Sequence, residues 1–154
     1  MITPDFAAYA VGADVHLHQH MPSEELVRRV EEIMTKIALE CVRSGADLIG
    51  HIKCVVETKG KGFLAVSVVD ESGAPHTKGK LEDGIEEMEL IVNVLLYGLK
   101  RSKIQEIVDP ILLRELAFPG AHLTIEDLEK HEHSHCEGDH DHEHGHDHEH
   151  GHEH

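Results

Sequence analysis

The sequence predicts an α+β fold: a small domain of order α-β-β-α-α with a β-hairpin between its helices, followed by a disordered His-rich tail. Three observations predict it. Apolar residues recur at helical spacing over residues 26–41 and again over 81–99. Between these stretches, two runs of β-forming residues flank the glycine turn Lys59-Gly60-Lys61-Gly62. Beyond residue 130, apolar residues all but vanish. The chain therefore divides into an irregular His-containing N-terminal segment (1–22), an α+β domain (23–130) and a tail (131–154).

The first helix opens at Ser23, read as its N-cap, with Glu24 and Glu25 favourably placed against the positive end of the helix dipole. Leu26, Val30, Ile33, Ile37 and Cys41 form its apolar stripe, widened by Met34 and Ala38, and Ser44-Gly45 stops it. Leu48, Ile52, Cys54 and Val56 lead into the glycine turn and Phe63 to Val69 leads out, which reads as a hairpin. Residues 70–79 read as a loop. Leu81, Ile85, Met88, Val92, Leu95 and Leu99 return to helical spacing. Ser102 with Gln105 resembles a capping box, Pro110 kinks or restarts that helix, and Phe118-Pro119-Gly120 ends it. Thr124 with Asp127 reads as the start of a last short helix running into the tail. A two-stranded hairpin is marginal alone. Either both helices cover it or its edge pairs with a second copy, and the expectation is the second, a homodimer.

Net charge restricts the partners. Of the formal −16, residues 1–130 carry −8 from 14 basic and 22 acidic side chains, and the tail carries −8 with no Lys or Arg. Such a chain is repelled by phosphate backbones and anionic lipid, so no nucleic acid and no membrane is expected as a partner. The absence of an 18-residue apolar run or of a basic stretch before an apolar one makes a cytoplasmic protein the expectation. Cys41, Cys54 and Cys136 are odd in number, widely spaced and without a CxxC pair, which argues against a disulfide framework. Cys41 and Cys54 read as small core residues. The two Thr-Lys-Gly-Lys segments do not make a phosphate loop, because Ala74 and Leu81 stand where it needs Gly and Ser or Thr.

The tail carries the chemistry. Eleven of the seventeen histidines fall within residues 131–154: His131, His133, His135, His140, His142, His144, His146, His148, His150, His152 and His154. Asp, Glu and Gly lie between them, and Cys136 offers a thiolate. Imidazole suits Zn, Ni, Co and Cu, carboxylates add charge and oxygen donors, and glycine lets the chain close around an ion. An appended purification tag is usually a homopolymer, whereas this segment grades in with varied spacers. A merely solvated acidic tail would not need eleven imidazoles. With too little apolar surface to offset ordering, the tail is expected to be disordered without a ligand.

That run, HEHSHCEGDHDHEHGHDHEHGHEH, resembles the tails of nickel accessory proteins such as the urease metallochaperone and the nickel-delivery factors of hydrogenase maturation. The resemblance covers residues 131–154 only and is one of composition. It implies Ni or Zn as cargo, with Co or Cu as further possibilities, and a client metalloenzyme as partner.

A second cluster, His16, His18 and His20, is spaced so that in an extended segment all three imidazoles project to one side and converge on an ion. Its plainer alternative is a polar segment with surface histidines. His51 and Cys54 lie an odd number of residues apart, so on a strand they face opposite ways. The leading expectation is a metal-binding accessory protein storing or delivering nickel, zinc or cobalt. The alternative is a small metal-dependent enzyme with a site near His16, His18, His20 and His51, loaded by the tail.

Overall fold

The computed structural model describes residues 6–129. His131 to His154, with Cys136 and the disorder expected there, lie outside the described residues. The elements are, in order, β1 (Phe6–His16), α1 (Ser23–Arg43), β2 (Leu48–Thr58), β3 (Gly62–Val68), β4 (His76–Leu81), β5 (Glu87–Tyr97), α2 (Arg101–Glu115) and β6 (His122–Asp127). The six strands make one sheet, ordered β4-β3-β2-β5-β1-β6, with every neighbouring pair antiparallel. Both helices pack on one face of it and on each other.

This overturns the predicted α-β-β-α-α order. The segment 1–22, expected to be irregular, contains β1, in which Tyr9, Val11, Ala13 and Val15 alternate into the core. The run from Leu81, expected to be helical, is a loop and then β5. Met88, Leu90, Val92, Val94 and Leu96 are buried at every second position. The stretch LIVNVLLY, apolar except for Asn93, satisfies both periods, and here the partners β1 and β2 on either side decide for the strand. The loop 70–79 gives way to β4 from His76, and the last predicted helix is β6, an edge strand hydrogen-bonded to β1.

Other parts follow the sequence. The stripe Leu26, Val30, Ile33, Met34, Ile37, Ala38 and Cys41 is the buried face of α1. At its start, Pro22 occupies the cap, and the Ser23 amide donates instead to Asp83 Oδ1 at 2.8 Å. No side chain caps α2 either, and Pro110 lies inside it. The β2–β3 hairpin forms at the glycine turn, where the Thr58 hydroxyl donates to the Gly62 carbonyl at 2.5 Å. Its two outer edges are taken by β5 and β4 of the same chain, so the hairpin does not need a second copy for pairing. In β2 the register slips between Ile49 and His51. That bulge turns Leu48 outward while Ile52, Cys54 and Val56 stay buried.

Candidate metal centre

Alternation in β1 creates the site. Val15 and Leu17 point into the core, 2% and 5% exposed, which sends Asp14, His16 and His18 to the face of the sheet away from the helices. Past the end of β1, the Leu17 amide still donates to the Glu86 carbonyl at 2.7 Å, so the chain stays extended toward His18. Pairing then brings in residues from distant parts of the sequence. His16 stands opposite His122 of β6 on one side and opposite Glu87 of β5 on the other. Directly opposed residues have Cβ atoms about 4.5–5.5 Å apart.

Three imidazoles consequently form a chain of contacts. The rings of His16 and His18 have centroids 5.4 Å apart, and those of His18 and His122 are 5.3 Å apart. His16 Nδ1 lies 3.2 Å from Glu87 Oε1. Lys59 Nζ holds the other oxygen of Glu87 at 2.6 Å. The Lys59 hydrogen bond and charge, helped by His16, hold the Glu87 carboxyl below the usual range, and Glu87 in turn raises Lys59. Around this group lies an open cleft of about 460 Å³, whose walls include Asp14, Glu57, Glu89 and Thr124. The surroundings are acidic and wet, a setting that concentrates cations. As the side chains stand, no three His, Cys, Asp or Glu among the described residues converge closely enough to hold one metal ion.

The structure splits the predicted His16, His18, His20 and His51 set. His16 and His18 stay together. His20 turns toward Gly84, in a hollow lined also by Lys59, Lys61, Glu86 and Glu87. His51 pairs with Leu95 of β5, whereas His16 pairs with Glu87, eight residues along that strand. At about 3.4 Å per residue the two lie about 27 Å apart along the sheet. One four-histidine site is therefore excluded by the register. Cys41 and Cys54 are fully buried free thiols, and burial pushes them up to about 11 and about 12, which leaves them protonated and inert.

Sequence reasoning missed His122 and Glu87. Glu87 lies in a run read as helix and His122 in the connection between two predicted helices, and each comes to His16 only through strand register. No local motif marks either one.

Two further polar groups are structural. Tyr9, 1% exposed, donates to Asp109, and Arg101 lies 5.1 Å from its ring centroid while bonding Asp127 and Glu129. Glu115 accepts from Arg29, Lys36 and Arg114 between the helices. Among the described residues, no buried side-chain polar atom is left without a partner. No helix among them is long and apolar enough to cross a membrane. No protein family, curated protein or solved structure matches the chain. What the fold and site define is a class: a two-layer domain of one antiparallel sheet and two helices, carrying a histidine and carboxylate patch on its open face.

Proposed function

We propose that the chain is a cytoplasmic metal-binding accessory protein, storing or delivering nickel, zinc or cobalt through residues 131–154, with the folded domain docking to a client metalloenzyme. One observation carries this reading: eleven of the seventeen histidines are packed into those twenty-four positions, alternating with Asp, Glu and Gly. Labile sites built from three or four imidazoles exchange their ligands one at a time, which suits transfer. At about four imidazoles per ion, the tail holds roughly two or three ions. The acidic surround of the His16 patch supports the same cargo class.

Native mass spectrometry under competing Ni, Co, Zn and Cu tests it. The full chain is compared with a full-length variant in which the eleven tail histidines and Cys136 are replaced by Ser. The wild-type chain is expected to take up two or three more ions than the variant. Equal stoichiometry in the two proteins would sink the tail reading.

A further inference from the structure

We infer that His16, His18 and His122 form an ordered site for a single divalent transition-metal ion on the open face of the sheet, with Glu87 as the carboxylate that orients His16. The inference rests on the metal-handling reading for the class of ion, and on the geometry of β1, β5 and β6 for the site.

Ring spacing is the first support. With Zn–N bonds of about 2.0–2.1 Å and tetrahedral angles, two imidazoles on one ion have ring centroids about 5 Å apart. The His16–His18 and His18–His122 separations are 5.4 and 5.3 Å. As they stand the three rings do not converge on one point, so binding needs rotation about side-chain torsions to bring His16 and His122 onto the same ion as His18. All three side chains are exposed.

The second support is the partner of His16. A metal-ligating histidine commonly gives its other ring N–H to a carboxylate, which fixes the tautomer and raises the basicity of the ligating nitrogen. His16 Nδ1 faces Glu87 Oε1 at 3.2 Å, which leaves Nε2 to ligate. Lys59 restrains Glu87 from the far side, so the carboxylate keeps its place beside His16. Three histidines with a fourth position open to water or to an incoming ligand form a site that both accepts and gives up an ion. The tail starts a few residues beyond β6. Its twenty-four residues span at most about 80 Å when extended, against about 17 Å from Asp127 back to His122 along the strand, so direct handover between tail and sheet is within reach.

The test uses zinc and the full-length tail-substituted variant, so that tail sites do not mask the ordered one. That protein is expected to retain one zinc ion by native mass spectrometry. Adding His122→Asn, His18→Asn or His16→Asn is expected to weaken zinc binding by at least about a hundredfold, and Glu87→Gln by about tenfold. His20→Asn and His51→Asn should change nothing. Histidine side-chain NMR spectra of the parent variant should show His16, His18 and His122 shifting together on addition of one equivalent of zinc. Circular dichroism melting confirms that each variant is folded. Absence of zinc from the tail-substituted protein, or its retention after His122→Asn in a folded variant, overturns the site. Either result leaves the tail reading standing. Conversely, one ion in both the wild-type chain and the variant removes the tail reading and keeps the site.

Discussion

Tyr9 on β1 donates its phenolic hydrogen to Asp109 on α2, joining residues one hundred positions apart at the helix–sheet interface. Burial and the neighbouring carboxylate raise the phenol far above its ordinary range, so it stays a donor at every accessible pH. Replacing Tyr9 with Phe leaves Asp109 with only the 3.4 Å contact from Gln105. The expected loss is about 1–2 kcal/mol, read as a lower urea midpoint with an unchanged m-value.

Arg101 extends this network to β6. Its guanidinium sits over Tyr9 and forks onto both oxygens of Asp127, at 2.8 and 2.7 Å. Arg101→Gln should loosen β6 selectively. Amide hydrogen exchange at His122 and Thr124, whose register with His16 and Asp14 places them in the ladder to β1, is expected to speed up roughly tenfold while the amides of β2 and β5 are unaffected. Uniform acceleration across the sheet would show that Arg101 supports the whole fold instead.

Glu115 sets the acid limit. Hydrogen bonds from Lys36 at 2.8 Å, and from Arg114 and Arg29, outweigh its burial and hold its carboxyl at about 2. A carboxyl depressed on folding stabilises the native state above its unfolded value, and that stability is lost as pH falls through the folded one. Stability should therefore decline from about pH 5 downward toward pH 2. In Glu115→Gln this part of the decline should vanish, together with about 1–2 kcal/mol at neutral pH, the cations being partly exposed. Urea melts at successive pH values check both.

Gly79 explains one of the Thr-Lys-Gly-Lys segments. It sits inside β4 with φ +94°, and a Cβ there would meet the Phe63 carbonyl oxygen at 2.5 Å. Gly79→Ala should cost about 1–3 kcal/mol, measured by calorimetry. A neutral result would mean that β4 can shift away from β3.

The core offers a sharper test. Ile33 on α1 is completely buried, so Ile33→Asp places an unpaired charge among apolar side chains and should cost more than about 4 kcal/mol. Loss of cooperative thermal unfolding is the expected readout.

These residues also show how far sequence reading reaches. The α1 stripe is legible because Leu26, Val30, Ile33 and Ile37 alternate with Glu24, Glu31 and Glu32, leaving one period that fits. The hairpin is legible because Gly60 and Gly62 punctuate it. In β5, the segment LIVNVLLY is apolar on both faces of the sheet and offers no period to choose between. In β1, Ala7, Ala8, Ala10 and Gly12 dilute an alternation that only long-range pairing makes real. Half of the candidate site was therefore visible. His16 and His18 stand two apart in the chain, whereas His122 and Glu87 join them through non-local register, which one local window does not encode.

β6 has one neighbour. Among the described residues, its strand pairing runs to β1 alone, and its other side is the rim of the sheet. A rim strand is the cheapest part of a sheet to detach, since peeling it breaks one ladder and leaves the remaining five strands closed. His122 rides on that strand. Transient peeling would thus carry off one imidazole of the proposed trio without unfolding the domain, turning a three-point grip into a two-point one. Residence time at the site would then be governed by the fraying rate of a six-residue ribbon.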